Sequence, residues 1–479
     1  MRNIDHIYID GTFVVPHGEE LFDLHNPATA AVIGRVRLAD AEDARRAIAA
    51  AKRAFPAFSR TSAAERIALL RRMHQAVRAR GAELTEAVIE EYGAPVSRAG
   101  WMAAHAADVL LQMAEVLEEY PFRRRAGSAE VVMQPLGVAA LITPWNSNAG
   151  FICGKLAGAL AAGCTSVIKP SEMSALQTRI VTEALHEAGL PPGVFNIVTG
   201  RGETVGAELS THPDVAKVSF TGSTAVGKTI LRAGAETLKR VTLELGGKSP
   251  VVLLDDANLE QAVPLAVQAA FINSGQACIA GTRLLAPRSR LAEVEALARA
   301  EVENTRAGDP RDSATAVGPM VSRRQWERVQ RYIRIGIEEG ARLLAGGEGL
   351  PQSLPGGLSA GWFVRPTLFG EARNDMTIAR EEIFGPVLSL IPYGDEEEAV
   401  AIANDTPYGL QGYVLSSNQE RAAAVASRIE AGRVLVNTLA HEPKAPFGGF
   451  KQSGIGREYG AFGLEAFLEP KSVLGLHST

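Results

Sequence analysis

The sequence contains one thiol and one carboxylate in surroundings that suit covalent chemistry. Cys278 follows the segment Gly275–Ala277, and Glu244 precedes the segment Leu245–Gly247, 34 positions earlier in the chain. A cysteine acts as a nucleophile only as its thiolate, so it needs a base or an environment that lowers its pKa. Glycines beside both residues allow the backbone to approach a ligand closely. The pair therefore predicts a nucleophile, Cys278, and a group that handles protons, Glu244.

Composition places this chemistry in an ordinary globular protein. The chain has 479 residues, of which 46% are hydrophobic and 22% charged, and this length is enough for two or three domains. The net charge is −5 and no basic block is present, so the charge pattern does not favour nucleic acid as a partner. Three cysteines, Cys153, Cys164 and Cys278, are too few for a disulfide framework and suit a reducing compartment.

Two further absences narrow the class of protein. No Cys/His cluster has metal-ligand spacing, so we expect no metal. The first residues lack the apolar core of a signal peptide, and no stretch reaches the roughly 18 apolar residues that a membrane-spanning helix needs. We therefore expect a cytoplasmic protein that does not bind membranes.

The periodicity of apolar residues predicts a mixed α/β fold. Residues 7–37 favour short strands, and helical spacing follows from Asp40, a candidate N-cap, to Tyr120. From Gly137 onward strands and helices alternate, and a second alternating block begins at Ser249. Such alternation is typical of parallel, doubly wound sheets, which bind ligands at the carboxyl ends of their strands. Four distinctive segments occupy predicted strand ends: Pro144–Asn146, Lys169–Glu172, Gly200–Gly202 and Thr221–Ser223.

A P-loop nucleotide hydrolase is an alternative function. The segment Gly222–Thr229 matches G-x-x-x-x-G-K-[ST] between a predicted strand and helix, and Asp255 and Asp256 end a later strand as a magnesium-binding acid would. Against this alternative, the motif follows four strands, leaves Glu244 and Cys278 unexplained, and the aspartates can cap the next helix. With either function, a glycine-rich turn that opens a helix predicts a phosphate site.

Seven motifs in order resemble those of NAD(P)-dependent aldehyde dehydrogenases, of the branch that hydrolyses its thioester rather than passing it to coenzyme A. They extend over essentially the whole chain, and together they are far more specific than any one alone. The motifs are Pro144-Trp145-Asn146, Lys169-Pro170-Ser171-Glu172, Phe220-Thr221-Gly222-Ser223-Thr224, Glu244-Leu245-Gly246-Gly247-Lys248, Gly275-Gln276-Ala277-Cys278, Glu381-Glu382-Ile383-Phe384-Gly385-Pro386 and Pro446-Phe447-Gly448-Gly449.

The resemblance implies a Rossmann-like cofactor-binding domain, a second α/β catalytic domain and a small β extension for oligomerisation. The expected boundaries are 1–121 and 136–246 for the cofactor-binding domain, 247–446 for the catalytic domain, 447–463 for a return to the first domain, and 122–135 with 464–479 for the oligomerisation strands. The resemblance further implies a homodimer or homotetramer, in which the hairpin 122–135 pairs with the neighbour's C-terminal strand.

The resemblance also implies the catalytic roles. Cys278 would attack the aldehyde carbon, while the Asn146 amide and the Cys278 N–H would hold the oxyanion. After hydride transfer, Glu244 would activate the water that releases the acid. Lys155 and Glu458 match positions that relay protons from that glutamate. From the residues alone, they are equally an exposed lysine and a salt-bridged glutamate.

NAD is the cofactor that the resemblance implies. Lys169 and Glu172 would hold the adenosine ribose, Glu382 the nicotinamide ribose, and Phe384 the nicotinamide ring. Because a carboxylate at Glu172 accepts a hydrogen bond from a 2′-hydroxyl and repels a 2′-phosphate, we expect NAD to be preferred over NADP. The complete set of expected contacts is Ile142, Thr143, Trp145, Lys169, Ser171, Glu172, Gly202, Gly206, Phe220, Gly222, Ser223, Val226, Gly227, Leu245, Gly246, Glu382 and Phe384.

The substrate pocket is expected to be wide. Many relatives have aromatic residues directly after the asparagine and eight positions beyond it, where this chain has Ser147 and Gly154. The absence of these two aromatic side chains predicts a bulky, aromatic or cyclic aldehyde rather than acetaldehyde. The other expected pocket residues are Phe151, Ala277, Ile279, His441 and Phe447.

Overall fold

The computed structural model describes residues 2–352 and 354–475 and contains two large sheets. The first has eight strands; its five central strands are parallel and the strands beyond them are antiparallel. In spatial order these strands are Gly454–Ile455, Arg240–Glu244, Val215–Thr221, Val138–Ile142, Thr165–Lys169, Phe195–Ile197, Ile7–Ile9 and Thr12–Val14.

The second sheet has seven strands, and only its first pair is antiparallel. In spatial order they are Arg342–Ala345, Thr367–Gly370, Val387–Tyr393, Arg283–Pro287, Pro250–Leu253, Gln411–Leu415 and Arg433–Val436. The predicted α/β fold with doubly wound sheets is therefore confirmed. The sheet membership is consistent with the expected domain boundaries, which stay a prediction.

Fifteen α-helices within the described ranges accompany these sheets. They are Ala41–Phe58, Ala63–Ala79, Gly81–Ala87, Val96–Glu119, Asn148–Ala162, Ala175–Glu187, Ala207–Thr211, Thr224–Ala235, Leu259–Phe271, Leu291–Asn304, Arg323–Glu338, Thr377–Arg380, Glu396–Asn404, Gln419–Ala426 and Gly460–Glu465. The predicted N-cap Asp40 is confirmed, because its carboxylate accepts hydrogen bonds from the Glu42 and Asp43 amides.

The strand Val138–Ile142 shows how both faces of the first sheet are buried. Ala139 and Leu141 belong to one hydrophobic core, whereas Val138, Ala140 and Ile142 belong to another on the opposite face. A strand that is apolar throughout is typical of a parallel sheet covered by helices on both sides.

The strand order reverses direction beside this same strand. From Val138–Ile142 the chain adds Thr165–Lys169 and then Phe195–Ile197 towards one edge, but Val215–Thr221 and Arg240–Glu244 towards the other. A reversal of this kind opens a crevice at the carboxyl ends of the two neighbouring strands. The segments that follow Ile142 and Thr221 therefore face the predicted ligand site.

Several element boundaries differ from the predicted ones. Apolar spacing from Trp101 to Tyr120 predicts a helix, which in the structure begins at Val96 because Pro95 is tolerated at a helix start. Helical spacing over 419–431 predicts another helix, which ends at Ala426: Asn404 Nδ2 donates to the Arg428 backbone oxygen, and Asn404 Oδ1 accepts from the Glu430 amide. The strands Arg240–Glu244, Arg342–Ala345 and Thr367–Gly370 were not predicted. Short strands were predicted within 7–37, but not the sheet that Val32–Arg37 and Leu21–His25 form with Arg2–Ile4.

The C-terminal strand pairs within its own chain. Leu468–Val473 runs antiparallel to Ala129–Pro135, which pairs in turn with Arg123–Ala126. The hairpin 122–135 was expected to pair with the C-terminal strand of a neighbouring subunit. That expectation is wrong, because residues 468–473 of the same chain occupy this position. The reason is that Glu465, just before the strand, accepts hydrogen bonds from the Tyr120 hydroxyl (2.9 Å) and the Arg124 guanidinium (2.7 Å), which fixes the chain beside its own hairpin. Predicted tail residues 476–479 lie outside the described residues.

Candidate active site

Cys278 follows a turn with unusual backbone geometry. The helix Leu259–Phe271 ends, and Asn273, Ser274 and Gly275 then have φ angles of 56°, 59° and 72°. Left-handed backbone at a residue other than glycine costs about 1–3 kcal/mol, so other contacts must hold this turn.

Hydrogen bonds from distant elements hold the turn. Asn273 Nδ2 donates to the backbone oxygens of Asn146 (3.0 Å) and Gln276 (3.3 Å). Ser274 Oγ accepts a hydrogen bond from the Gly318 amide at 2.9 Å. The direction in which the nucleophile points is therefore determined by residues far away in the sequence.

Asn146 connects the first sheet to the nucleophile. It is buried beyond the strand Val138–Ile142, and its Nδ2 donates to the Gln276 backbone oxygen at 2.9 Å. That bond uses one N–H of the side-chain amide and leaves the second for an oxyanion. Cys278 itself is half-buried, and burial raises the pKa of its thiol to about 12. The resting thiol is therefore protonated at neutral pH and needs a base.

Glu244 is a buried carboxyl that the described residues leave without a hydrogen-bond partner. It ends its strand at 2% exposure, and neither carboxyl oxygen is bonded. Burial, and after it the charge of Glu458, raise the pKa of Glu244 well above its ordinary value. A side chain at Gly448 would place its Cβ 2.8 Å from Glu244 Oε1, so this glycine keeps space beside the carboxyl. An unbonded carboxyl of raised pKa suits proton transfer at neutral pH.

Lys155 and Glu458 lie together next to this carboxyl. The Lys155 ammonium is buried, forms an ion pair with Glu458 and donates to Ser219 Oγ at 3.0 Å. Ser219 Oγ in turn donates to Glu458 at 3.2 Å. The reading of Lys155 as an exposed helix residue is therefore wrong. Sequence reasoning missed Ser219, which carried no distinguishing motif.

A cleft of about 880 Å³ brings the nucleophile together with predicted cofactor residues. Its walls come from both sheets, and its volume is typical of a ligand pocket. Among the predicted residues, those that line it are Trp145, Asn146, Glu172, Gly222, Ser223, Glu244, Leu245, Gly246, Cys278, Glu382 and Phe384.

Other predicted cofactor residues lie outside the cleft wall, and their roles stay predictions. They are Ile142, Thr143, Lys169, Ser171, Gly202, Gly206, Phe220, Val226 and Gly227. Two of their side chains are engaged elsewhere, because Thr143 Oγ1 donates to Asn148 at 3.1 Å and Ser171 Oγ accepts from the Met173 amide at 3.3 Å. Residues that line the cleft but were not predicted include Phe22, Met173, Arg201, Val321, Gln325 and Arg328.

One end of the cleft is formed by Glu382 and Phe384. Glu382 Oε1 accepts from the Gly247 amide at 3.0 Å, and burial raises the pKa of this carboxyl to about 7. The Phe384 ring meets Trp145 edge-on at 5.5 Å, and Gln325 Nε2 donates to the Phe384 backbone oxygen at 2.7 Å. The helix that carries Gln325 thus fixes an aromatic wall, a role that periodicity alone does not show.

The other end carries a network of charges around Glu172. Its carboxylate lies 3.6 Å from the Lys169 ammonium and 3.2 Å from the Arg201 guanidinium. Arg201 also pairs with Glu20 at 2.7 Å. Glu172 therefore reaches the cleft with part of its charge already compensated.

The residues of the alternative P-loop site do not converge. Lys228 is exposed and donates to Gln452 at 2.8 Å. Asp255 follows a strand of the second sheet, where it pairs with Arg421 at 2.6 Å. A hydrolase needs the lysine and the acid on one phosphate group, so the geometry does not favour this alternative.

The predicted substrate residues meet at a cluster of rings. Tyr459 lies 5.3 Å from His441 and 5.8 Å from Phe447, ring centre to ring centre. Behind it is a small cavity of about 30 Å³, lined in part by Phe151 and Gly154. A Cβ atom at Gly154 would meet nothing within 4 Å, so space is open there.

The remaining predicted pocket residues lie on the two elements already described. Ser147 is the N-cap of the helix Asn148–Ala162, and Ala277 and Ile279 flank the nucleophile. Tyr459 was missed, because its ring reaches the cluster only through the fold.

Two searches of the described ranges 2–352 and 354–475 were negative. None of the helices there is both long and apolar enough to cross a membrane. The same residues include no group of three or more histidines, cysteines or acids placed to hold a metal ion.

Comparison with known proteins gives close and complete matches. The sequence model of the aldehyde dehydrogenase family matches residues 13–473. A 3-succinoylsemialdehyde-pyridine dehydrogenase from a Pseudomonas species is 47% identical over 477 residues, which are 99% of each chain.

Solved structures agree with these sequence matches. A mutant of aldehyde dehydrogenase C from Pseudomonas syringae, in complex with NAD+ and octanal, is 46% identical with a TM-score of 0.97, covering 99% of this chain and 97% of that one. An aldehyde dehydrogenase from Mycobacterium tuberculosis complexed with NAD+ is 39% identical with a TM-score of 0.95, and each chain is covered completely.

Proposed function

Because the chain belongs to the aldehyde dehydrogenase family, we propose that it oxidises a bulky aldehyde to the carboxylic acid with NAD, through covalent intermediates on Cys278. The observation that carries this proposal is the convergence of Cys278, Glu244 and Asn146 at one cleft, next to Glu382 and Phe384. NAD also accompanies two of the similar structures.

The cleft has features that fit NAD. Ser223 caps the helix Thr224–Ala235, whose first amides and dipole suit a pyrophosphate. Glu172 and Glu382 offer carboxylates for ribose hydroxyls at opposite ends of the cleft, and the Phe384 ring, which meets Trp145 edge-on, offers an aromatic wall for the nicotinamide. When bound, NAD accepts the hydride from the substrate carbon.

The chain's own residues then divide the reaction into two steps. The Cys278 thiol first gives its proton to solvent, and the thiolate adds to the carbonyl carbon; the resulting oxyanion receives hydrogen bonds from the second Asn146 N–H and the Cys278 amide. Loss of the hydride leaves a thioester on Cys278. Glu244 takes a proton from water, which attacks the thioester carbon; the C–S bond breaks and the acid leaves. Lys155, Ser219 and Glu458 are bonded to one another, and we assign them to take the proton from Glu244, to which none of them is hydrogen-bonded here.

The direct test follows NADH absorbance with a panel of aldehydes that includes benzaldehyde, octanal and acetaldehyde. We expect NADH and the matching acid to form in equal amounts. ATP hydrolysis without any NADH would instead support the P-loop alternative, and absence of NADH with every aldehyde would overturn the proposal.

Substitution of Asn146 by alanine should lower kcat about 10²- to 10³-fold, because one oxyanion donor is lost. The matched control is Asn148→Ala, which removes a buried amide that bonds Thr143 and Thr178 outside the cleft. We expect this control to lose stability on heating but to keep its kcat. Equal kcat losses in both variants would show that Asn146 only supports the fold.

A large side chain at Gly154 should narrow the substrate range. A Cβ atom at Gly154 meets nothing within 4 Å, whereas the adjoining cavity is only about 30 Å³. The indole of Gly154→Trp should therefore fill the space used by a large substrate and lower kcat/KM for benzaldehyde and octanal by about tenfold or more. Acetaldehyde is small enough to be unaffected and serves as the internal control. A uniform loss for all three aldehydes, or a native preference for acetaldehyde, would contradict a wide pocket.

NAD should be preferred over NADP by about tenfold in kcat/KM, because a 2′-phosphate meets the Glu172 carboxylate. The preference is modest since Lys169 and Arg201 compensate part of that charge. Glu172→Gln should reduce the ratio towards one. Equal kcat/KM for the two cofactors in the unaltered enzyme would refute the assignment.

We also propose a homo-oligomer. In the sheet of Arg123–Ala126, Ala129–Pro135 and Leu468–Val473, no other strand of the described residues pairs with the two outer strands. Open edges of this kind are usually covered by another element or subunit.

A further inference from the structure

Arg433 lies within the ring cluster of the candidate substrate pocket. It is half-buried at the start of the edge strand Arg433–Val436, and its guanidinium lies 5.1 Å above the Phe447 ring. Its Nη1 is 3.1 Å from His441 Nδ1, and its Nε donates to Gln411 Oε1 at 2.7 Å. Two predicted pocket residues therefore contact this cation directly.

The cation has no anionic partner in the part of the chain that the structure describes. No carboxylate of residues 2–352 or 354–475 lies within 4.0 Å of the Arg433 guanidinium, and its Nη2 donates to no acceptor there. The nearest acid in sequence, Glu430, pairs with Lys451 at 2.6 Å. The next acid along the chain, Glu442, is exposed and acts on His441. A partly buried guanidinium that has lost water needs an acceptor to offset that loss.

Burial alone does not explain an arginine of this kind. Arg283 is also buried, but its guanidinium donates to three backbone oxygens and to the Asn374 side chain, so it is satisfied by the fold. Arg433 uses only two of its nitrogens and keeps a third available. Unlike Arg283, Arg433 therefore has a guanidinium nitrogen, Nη2, that can donate a hydrogen bond to a ligand.

A short chain of side chains links Arg433 to the nucleophile. Gln411, which accepts from Arg433, donates to the Tyr413 hydroxyl, and that hydroxyl donates to the Ile279 backbone oxygen at 2.8 Å. Ile279 directly follows Cys278. The positive charge of Arg433 also opposes the burial that raises the pKa of Cys278. A substrate bonded to Cys278 thus lies near this guanidinium.

A second guanidinium, that of Arg98, lies at the far end of a row of rings that reaches His441. The Arg98 guanidinium lies 4.0 Å from the Trp101 ring centre, Trp101 stacks on His105 at 4.7 Å, and His105 meets His441 at 5.7 Å. Arg98 likewise has no carboxylate partner among the described residues, and its Nε is buried without an acceptor. Arg98 lies too far along this row to contact a substrate, so Arg433 is the guanidinium that favours an oxygen acceptor.

We propose that Arg433 selects aldehydes that carry an oxygen acceptor, a ketone oxygen or a carboxylate, remote from the reacting carbon. The proposal rests on the proposed function, since the aldehyde must be bound at Cys278. Arg433 is a specificity-determining residue: it donates Nη2–H to the acceptor and leaves the bond-breaking steps to Cys278 and Glu244.

The test uses three aldehydes of five carbons: pentanal, 4-oxopentanal and 5-oxopentanoate. We expect kcat/KM for at least one acceptor-bearing aldehyde to exceed that for pentanal by about tenfold or more, as for a hydrogen bond to a charged group. Preference for 4-oxopentanal alone identifies a neutral acceptor, preference for 5-oxopentanoate alone an anionic one, and both results support the proposal. A native enzyme that prefers pentanal, or shows no preference, overturns it.

Variants of Arg433 test whether this residue causes the preference. Arg433→Met should abolish the kcat/KM advantage of the acceptor-bearing aldehyde over pentanal, mainly by raising KM for that aldehyde, while kcat/KM for pentanal changes by less than about threefold. Arg433→Lys keeps a point charge without the guanidinium fork, and should keep part of a carboxylate preference. This second variant also serves if the methionine variant fails to fold. If both variants fold, a kcat/KM ratio of acceptor-bearing aldehyde to pentanal that survives in both overturns the proposal. If only the lysine variant folds and the preferred acceptor is the ketone, survival of the ratio in that variant also overturns it.

A matched control separates recognition from support of the fold. Arg66 is a buried arginine that lies 5.0 Å above the Phe122 ring and has no carboxylate partner among the described residues, but neither residue lines the cleft. Arg66→Met should leave the substrate ratio unchanged, and a ratio that falls equally in this variant would overturn the role of Arg433. If no aldehyde yields NADH, the proposed function fails; if aldehydes react without an acceptor preference, only the role of Arg433 fails.

Discussion

Replacing Cys278 with alanine should abolish aldehyde oxidation, with kcat lowered by about 10⁴-fold or more, as when other enzymes lose a nucleophile. The reason is that no covalent intermediate can form, while the cleft proposed to bind NAD is unchanged. The measurement is NADH formation in a single turnover, together with titration of NAD binding to show that the variant still binds it.

The matched control for this prediction is another cysteine. Cys153 is fully buried, and burial raises the pKa of its thiol to about 12, as it does for Cys278. Cys153→Ala should nevertheless keep full activity, because this thiol faces a hydrophobic core and not the cleft. Aldehyde oxidation by the Cys278→Ala variant would show that the reaction does not pass through a covalent intermediate on Cys278.

The second large effect is expected for Glu244→Gln. Its steady-state rate should fall about 10²- to 10⁴-fold, the usual contribution of a general base. A first burst of about one NADH per active site should remain, since Glu244 acts mainly on the thioester that hydride transfer leaves. Mass spectrometry of the stalled enzyme should find the acyl group on Cys278. Loss of the burst would show instead that Glu244 is needed before hydride transfer.

The pH dependence of kcat supplies an independent check on Glu244. Only the ionised carboxylate accepts a proton from water, and burial raises the pKa of Glu244 well above its ordinary value. Acid release in the unaltered enzyme should therefore be slow below this raised pKa and rise as the pH passes through it. The glutamine variant should lose this rise, whereas Glu442→Gln, at an exposed carboxyl, should keep it.

The sequence was sufficient to predict those features that depend on local pattern. The N-cap Asp40 and the strands Thr165–Lys169 and Val387–Tyr393 are where periodicity predicts them, because caps and buried strands have short-range patterns. The family motifs likewise predicted that Cys278 and Glu244 would share one site, and both residues line the same cleft.

Features built from distant residues could not be predicted. Ser219 and Tyr459 belong to no motif, and they reach the site only because separate elements pack together. The left-handed turn at Asn273 could not be predicted from local sequence either, since it is stabilised by hydrogen bonds to Asn146 and Gln276 and not by the backbone preference of asparagine. The C-terminal strand was predicted to pair with a neighbour's hairpin rather than its own, because strand pairing depends on where Glu465 is held.

The bonds across the nucleophile turn also make activity sensitive to how the molecule comes apart. Asn146 stands on one sheet, whereas Asn273 and Gln276 belong to the segment that leads into the other. If thermal motion separates the two halves, both can keep their helices and hydrogen-bonded strands while the turn relaxes to ordinary backbone. Inactivation then precedes the loss of secondary structure, and catalysis reports the docking of the two halves rather than the folding of either.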